Sequence, residues 1–263
     1  MKIITLIENH TITRGIEAEH GLSLYIENYN FDGAVENRVL FDTGQSVAFM
    51  RNAKKLGVDL SKVDTVIISH GHYDHGGGLS EFLKFNRSAK VYLTREALKP
   101  RYDKKQELVS FVLEKNLLEG RVHFIDGITK VGKSLIIFPK TEIKYTEDTG
   151  FIGNDTFDDE LFLCCVSDKS AVIISGCSHR GITNIVDYAR KNTTLPIKGV
   201  IGGFHTINDK KERLDFIIDF LKKLPECIVG TCHCTGIEQY SYMKSQIPDY
   251  NLFYNYAGRS III

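Results

Sequence analysis

The segment from Val66 to Gly78 reads VIISHGHYDHGGG, and it limits the possible folds of this chain more than any other feature. The β-branched residues at its start predict a buried strand, and the glycines at its end allow a sharp turn. A loop between them carries four polar side chains: His70, His72, Asp74 and His75. Because side chains that follow the carboxyl end of a strand can converge on one point, the segment predicts a site at a sheet edge.

These four side chains are of the types that bind metal ions. Imidazole nitrogens and a carboxylate suit zinc, iron or manganese. The spacing allows two ions, with His70 and His72 on one and Asp74 and His75 on the other. The alternative is a polar loop whose histidines face solvent, which four such residues directly after a strand make the weaker interpretation. We therefore expect one or two divalent metal ions per chain, zinc first, with iron or manganese as alternatives.

Other short β-branched runs recur along the chain and alternate with helical patterns. This mixture indicates an α/β protein whose helices cover its sheets. No proline-rich or low-complexity stretch marks a boundary, so we expect a single domain over residues 1–263. The polar segment 94–110 is expected to lie on the surface, as a solvated helical face or as an insertion near the site. The predicted strands are 2–7, 23–27, 38–41, 65–69, 90–93, 122–124, 134–138, 161–166, 171–175, 198–201, 227–229 and 252–255, and the predicted helices are 46–56, 107–118, 182–191 and 210–223.

Charge and composition narrow the possible partners. Lysine plus arginine and aspartate plus glutamate both number 33, which gives a formal net charge of +0. This balance lacks the basic excess of a nucleic-acid-binding protein. No segment approaches the roughly 20 apolar residues of a membrane span, and the start of the chain lacks the pattern of a signal peptide. We expect a cytoplasmic monomer or homodimer with a small-molecule substrate, reduced cysteines, and no membrane or nucleic-acid partner.

The motif His-x-His-x-Asp-His after an apolar strand resembles the signature of the metallo-β-lactamase superfamily. The sequence VLFDTG at 39–44 resembles the first motif of that family. The resemblance extends over most of the chain. It implies a four-layer αββα sandwich of two mixed sheets packed face to face, with helices outside and a metal site at one edge. It also implies that Asp42 supports and orients the metal-binding loop.

Three later histidines stand where this family places its remaining ligands. They are His179 in VIISGCSHRG, His205 in GVIGGFH and His233 in CIVGTCHCTG, and each follows an apolar β-branched run. The resemblance implies His179 as the third ligand of the first ion and His233 as a ligand of the second. His205 is then a general acid or a substrate contact. The opposite assignment, with His205 on the metal and His233 in the other role, stays open.

The chain departs from the common family pattern at Cys177. An aspartate that bridges two metals usually stands at this position, after the strand. The segment NDTFDDELFL also lacks the usual histidine before the preceding strand. Two interpretations of Cys177 stay open, because it can bridge the metals or line the site as a small buried residue. A thiolate ligand would favour zinc or iron.

The motifs GCSHRGI, GGFH and HCTG together resemble the branch named for 7,8-dihydropterin-6-methyl-4-(β-D-ribofuranosyl)-aminobenzene 5′-phosphate synthase, an enzyme of methanopterin biosynthesis. The resemblance implies a metal-dependent hydrolase that uses metal-bound hydroxide, oriented by Asp74, on a small phosphorylated, ester or lactone substrate. One alternative is a synthase-like transferase of pterin cofactor biosynthesis, with a pterin-like substrate. Another is a di-iron redox or sensing protein.

Overall fold

Two mixed β-sheets pack face to face and carry helices on their outer faces in the part of the chain that the structure describes. This is the αββα arrangement that the resemblance implied, so the predicted fold class is confirmed. The computed structural model describes residues 1–30, 32–103, 105–152, 155–224 and 226–263.

The first sheet has seven strands in the described residues, in the spatial order β14-β1-β2-β3-β4-β5-β6. The pairs from β14 to β3 are antiparallel, and those from β3 to β6 are parallel. The strands are β1 (Lys2–Ile7), β2 (Ser23–Tyr29), β3 (Val35–Phe41), β4 (Thr65–Ile67), β5 (Lys90–Leu93), β6 (Val122–Phe124) and β14 (Ser260–Ile262).

The second sheet also has seven strands in the described residues, in the order β13-β12-β11-β10-β9-β8-β7. The pairs from β10 to β13 are parallel, and those from β7 to β10 are antiparallel. The strands are β7 (Thr129–Val131), β8 (Leu135–Pro139), β9 (Leu161–Val166), β10 (Ala171–Ile174), β11 (Ile197–Gly202), β12 (Ile228–Thr231) and β13 (Leu252–Tyr254).

The helices divide between the two outer faces. Phe49 of α1 and Phe82 of α3 lie in the core outside the first sheet. Ile185 of α4, Ile217 of α5 and Met243 of α6 lie in the core outside the second sheet. No helix among the described residues combines the length and the apolar character needed to cross a bilayer. The helices are α1 (Ala48–Lys55), α2 (Tyr73–Gly76), α3 (Leu79–Phe85), α4 (Ile182–Thr193), α5 (Lys211–Leu221) and α6 (Ile237–Gln246).

The continuous apolar run that opens the histidine motif follows from this layering. Successive side chains of a strand point to opposite faces of its sheet. Val66 and Ile68 therefore enter the outer core under the helices, while Ile67 enters the core between the sheets. Because both faces of β4 are covered, an alternation of apolar and polar residues would bury polar groups without partners.

Each predicted strand overlaps a strand of the structure, but the predicted helix at 107–118 is wrong. Only its end, Lys115–Leu118, forms a short 3-10 helix. The apolar residues of this segment do not form one buried stripe, since Phe111 is buried whereas Leu108 and Val112 are 53% and 78% exposed. Without a buried apolar face, a helix here would gain little from packing.

Segment 94–110 is also not a helical face in its described residues, 94–103 and 105–110, because only Glu96–Leu98 forms a short 3-10 helix there. The loop predicted after β4 contains the single helical turn α2. Elements that the sequence did not predict are α3, α6, β7 and β14. The strands β7 and β14 are three residues long, which is too short to show the alternation of a strand. The helix α6 buries only Met243 among its described residues, so its sequence shows no apolar stripe of helical spacing.

Candidate metal centre

The candidate site lies where the carboxyl ends of several strands meet at one edge of the two sheets. The HGHYDH motif follows β4, and Asp42 follows β3. Cys177 and His179 follow β10, His205 follows β11, and His233 follows β12. All of the residues predicted for the site therefore come together, although 158 residues separate His75 from His233, whose Nε2 atoms lie 3.1 Å apart. Six of them border a cleft of about 280 Å³, namely His72, Asp74, Cys177, His179, His205 and His233. Asp42, His70 and His75 are fully buried and do not line it.

A first group consists of His70, His72 and His179. Their ligand nitrogens all lie within 4.8 Å of one another. His70 and His179 are fully buried, and the Nε2 atoms of both lack a hydrogen-bond partner among the described residues. Such an atom costs about 1–3 kcal/mol if nothing satisfies it. A divalent ion between the three rings would supply the missing partner, so this group fits a metal.

The hydrogen bonds of the other ring nitrogens prepare His70 and His179 for that role. Nδ1 of His179 lies 2.9 Å from the carbonyl oxygen of Gly150, which can only accept. Nδ1 of His70 lies 2.9 Å from Ser69 Oγ, whose hydroxyl donates to the Asp42 carboxylate. The proton of each ring therefore sits on Nδ1, and Nε2 keeps a free lone pair.

A second group consists of Asp74, His75 and His233. Nε2 of His75 lies 3.1 Å from Nε2 of His233 and 3.7 Å from Asp74 Oδ2. Nε2 of His233 lies 3.2 Å from the same carboxylate oxygen. Two imidazoles and a carboxylate this close form a donor set for a transition metal.

Both histidines of the second group are also oriented through Nδ1. His75 Nδ1 donates to Asp42 Oδ2 over 2.7 Å. His233 Nδ1 lies 2.8 Å from Asn9 Oδ1, and that oxygen also accepts the backbone N–H of Gly21. Four histidines in the two groups thus hold Nδ1 on an acceptor and leave Nε2 as the nitrogen that can bind a metal.

Asp42 connects the two groups from beneath. Its Oδ1 accepts the backbone N–H of Ser69, and its Oδ2 accepts both Ser69 Oγ and His75 Nδ1, each over 2.7 Å. Asp42 is fully buried and has φ 58°, a left-handed conformation that aspartate and asparagine tolerate better than most residues. A Cβ at position 176 would lie 2.3 Å from Ser69 Oγ, so only glycine leaves room for the hydrogen bond between Ser69 and Asp42.

His205 borders the cleft without joining either group. Its ring centroid lies 4.0 Å from that of His179, and its φ of 47° turns the ring inward from the end of β11. The structure therefore favours the assignment with His233, rather than His205, beside Asp74.

Burial and nearby charge set the protonation of the cluster. Burial lowers the pKa of His72 to about 4 and that of His205 to about 3. Burial opposes the charged form of His75 as well, but the carboxylates of Asp74 and Asp42 outweigh it and raise its pKa to about 9. The lowered values leave the neutral imidazole that metals bind.

A protein of the archaeon Methanocaldococcus jannaschii is related to this chain over most of the length of both. This 7,8-dihydropterin-6-methyl-4-(β-D-ribofuranosyl)-aminobenzene-5′-phosphate synthase is 32% identical over 262 aligned residues, which cover 90% of this chain and 88% of the relative. A family model described as the metallo-β-lactamase superfamily matches residues 28–157. The chain belongs to the metallo-β-lactamase superfamily.

Solved structures agree with this membership. A metal-dependent hydrolase of the β-lactamase superfamily is 30% identical, with a TM-score of 0.82 over 100% of this chain and 99% of the hydrolase chain. The short form of human tRNase Z is 12% identical with a TM-score of 0.56, over 100% of this chain and 99% of its own, which is a likeness of fold alone. The predicted superfamily and its enzymatic character are thus confirmed, and superfamily members bind divalent metals.

Residues that sequence reasoning missed lie around the second group of this superfamily site. Glu8 accepts the backbone N–H of His233 over 2.7 Å, and His20 Nε2 lies 3.2 Å from Asp74 Oδ2. Glu8 and Asn9 follow β1, so their position at a strand end was the one available signal. His20 lies in an irregular polar stretch, and nothing in its sequence context marks it.

Proposed function

We propose that this chain is a metal-dependent hydrolase that holds two ions, zinc by preference, and acts on a small phosphorylated, ester or lactone substrate. The observation that carries the proposal is the set of four buried histidines with Nδ1 held by acceptors, of which His70 and His179 leave Nε2 without a hydrogen-bond partner among the described residues. A chain that only needed polar packing would have paired the Nε2 atoms of His70 and His179 with protein groups.

In this proposal His70, His72 and His179 hold the first ion, and Asp74, His75 and His233 hold the second. When bound, the ions polarise a substrate oxygen and lower the pKa of water, so that a nucleophile is available near neutral pH. Asp42 keeps His75 in the tautomer that can bind, through the hydrogen bond at Nδ1.

Asp74 and His205 are the residues that we assign to the reacting atoms. The Asp74 carboxylate borders the cleft, and it is the acceptor that would orient the attacking water. His205 borders the same cleft after β11, where its ring can contact the substrate through a hydrogen bond. Phe157 stacks on His179 with centroids 3.5 Å apart and limits water on that side.

The wall of the cleft supports a small organic substrate. Tyr73 and Ile207 border the cleft and are 38% and 46% exposed, so apolar surface lies beside the polar floor. Such a combination is typical of small-molecule sites, where apolar walls bury the ligand and a few polar groups orient it.

A second candidate is a synthase-like transferase of pterin cofactor biosynthesis. The name of the relative from Methanocaldococcus jannaschii favours it. A second cavity of about 590 Å³ also adjoins the cleft and shares Tyr102, Asp103, Ile152 and Asp155 with it. A transfer reaction needs room for two organic substrates side by side, which a hydrolase does not.

Turnover of generic phosphodiester and lactone substrates by the zinc-loaded chain tests the hydrolase. We expect activity that disappears on stringent metal removal, returns with zinc, and falls at least ~100-fold in His72→Ala. His123→Ala, which changes an exposed histidine of β6, is the matched control and should keep full activity. Activity that survives both metal removal and His72→Ala would refute the proposal.

Fluorescence titration of the metal-loaded chain with a reduced pterin separates the two candidates. The synthase predicts a dissociation constant in the low micromolar range, equivalent to about −8 kcal/mol. It also predicts weaker binding in Tyr102→Ala. Absence of pterin binding, together with lactone or phosphodiester turnover, would leave the hydrolase.

A further inference from the structure

We propose that His20 positions the Asp74 carboxylate for the second ion, and that Asn9 sets the tautomer of His20 that this role requires. The inference rests on the proposed function, because Asp74 is a proposed ligand of that ion. It assigns a task to a half-exposed histidine that belongs to neither metal group. His20 carried no prediction from the sequence.

The His20 ring lies at the rim of the cleft and points at Asp74. Its Nε2 atom lies 3.2 Å from Asp74 Oδ2, and its ring centroid lies 5.1 Å from that of His233. The side chain of His20 is 53% exposed, whereas that of Asp74 is 8% exposed. His20 therefore covers the solvent side of the carboxylate, while the buried rings of His75 and His233 approach it from the interior.

The main chain around His20 is fixed to the same aspartate. The N–H of Leu22 donates to the Asp74 carbonyl oxygen over 3.1 Å. A Cβ at Gly21 would lie 2.5 Å from that carbonyl oxygen, and Gly21 has a φ of 145°, so only glycine permits this close approach. The His20 ring is therefore held at Asp74 by an anchored segment rather than by a free loop.

Asn9 lies between the two histidines that flank Asp74, and a backbone group fixes the orientation of its amide. The N–H of Gly21 can only donate, so the atom that it meets at 3.2 Å is the amide oxygen, Oδ1. The same oxygen lies 2.8 Å from His233 Nδ1. The amide nitrogen, Nδ2, therefore faces His20 Nδ1 at 3.5 Å.

This one amide gives the two neutral rings opposite tautomers. Nδ1 of His233 donates to the amide oxygen, so Nε2 of His233 keeps a lone pair. Nδ1 of His20 accepts from the amide nitrogen, so the proton of His20 is on Nε2 and is donated to Asp74. Both Nε2 atoms lie 3.2 Å from the same carboxylate oxygen, but one offers a lone pair to an ion and the other donates a hydrogen bond.

A donor on the outer side of a metal-binding carboxylate fixes how that carboxylate is turned. Loss of such a partner typically weakens metal binding by about 10- to 100-fold. Without the His20 ring, the Asp74 carboxylate faces solvent on that side and can rotate away from the second ion. The ring nitrogens of His20 form hydrogen bonds only with Asp74 and Asn9 among the described residues, so we expect the first ion to be unaffected.

The contact between His20 and Asp74 has little to do for the stability of the fold. Pairs with one half-exposed partner contribute little to the free energy of unfolding. The backbone hydrogen bonds of Gly21 and Leu22 also remain when the ring is removed. The metal-free His20→Ala variant should therefore unfold at the same urea concentration as the wild-type chain.

Competition for zinc between the chain and a chromophoric chelator tests the inference without an activity assay. His20→Ala should bind the second zinc ion ~10- to 100-fold more weakly and the first with wild-type affinity. His20→Gln should recover most of the loss, because its amide N–H can reach the position of Nε2. His10→Ala, which changes an exposed histidine that does not border the cleft, is the matched control and should keep both affinities.

Long-range proton–nitrogen NMR spectra of the metal-free chain, with nitrogen-labelled histidine, report the tautomer directly. At an alkaline pH, at which exposed imidazoles are neutral, His20 should carry its proton on Nε2. The His20→Gln variant identifies the His20 signal by its disappearance. A proton on Nδ1 of His20 would overturn the inference, and so would equal zinc affinities in His20→Ala and the wild-type chain.

The outcomes separate this inference from the proposed function. A chain that binds two zinc ions, binds the second more weakly in His20→Ala, and hydrolyses neither phosphodiesters nor lactones would refute the hydrolase and keep the role of His20. Hydrolysis by the wild-type chain, with unchanged zinc affinity in His20→Ala, would refute the role of His20 alone. A wild-type chain that binds no zinc would overturn both. The tautomer in the wild-type chain decides even if His20→Ala fails to fold.

Discussion

Asp42→Asn is the substitution that most sharply tests how the metal centre is oriented. The side chain keeps its size, and asparagine tolerates the left-handed backbone at this position, so the change acts on hydrogen bonding alone. The amide oxygen can replace only one carboxylate oxygen. If it accepts the backbone N–H of Ser69, its amide group must face His75 Nδ1, which is now also a donor.

Two donors that face each other in a fully buried site cost about 1–3 kcal/mol. His75 can avoid the clash by moving its proton from Nδ1 to Nε2, but Nε2 then has no lone pair for a metal. We therefore expect the second ion to bind roughly 10- to 100-fold more weakly, equivalent to about 1.4–2.8 kcal/mol. The first ion should change little, since Ser69 Oγ can rotate and still accept from His70.

Two measurements check this prediction. Competition with a chromophoric chelator gives the affinity of each ion, and urea unfolding of the metal-free chain gives the free energy of unfolding. Asp64→Asn is the control, because Asp64 accepts the backbone N–H of Arg38 over 2.8 Å at the opposite end of β4. Wild-type affinity for both ions in Asp42→Asn would refute the reasoning.

Three further predictions follow from the structure. His70→Ala should lose the first ion, whereas His123→Ala should keep both, and elemental analysis of the purified variants measures this. Equal metal content in the two variants would contradict the assignment of His70 to the first ion. Gly181→Ala should lower the free energy of unfolding by more than about 3 kcal/mol, because its Cβ would lie 1.7 Å from the Asp148 carbonyl oxygen. Gly15 has a similar positive φ, and a Cβ there would have no atom within 4 Å, so Gly15→Ala should lower the free energy of unfolding by only about 1–2 kcal/mol. Urea unfolding measures both variants, and equal losses would show that the contact with Asp148 does not matter. Tyr102→Ala should raise KM for the phosphodiester or lactone that the wild-type chain turns over, with little change in kcat. An unchanged KM in steady-state kinetics would exclude Tyr102 from the binding surface.

The strand pattern and the histidine motif were readable in the sequence because both are local. The run Val66–Ile68 had to be apolar to fill two cores, and the motif had to follow it to reach the sheet edge. The same argument found His179, His205 and His233, since each follows a strand of the second sheet.

Other parts of the site depend on tertiary contacts that no local pattern encodes. Glu8 and His233 are 225 residues apart in the chain, and His20 reaches Asp74 from a stretch without regular structure. Cys234 also borders the cleft, and its sulfur fits there because Gly203 has no side chain: a Cβ at Gly203 would lie 2.5 Å from it. The helix predicted at 107–118 failed for the related reason that periodicity alone does not reveal whether a buried partner surface exists.

Anomalous diffraction from crystals of the zinc-loaded chain tests the central claim most directly. We expect two peaks at the zinc edge, one between His70, His72 and His179 and the other beside Asp74 and His233. Strong peaks at the iron edge instead would point to the di-iron alternative. No peak between these side chains, in crystals that diffract well at a zinc excess, would contradict the account of this cleft as a metal centre.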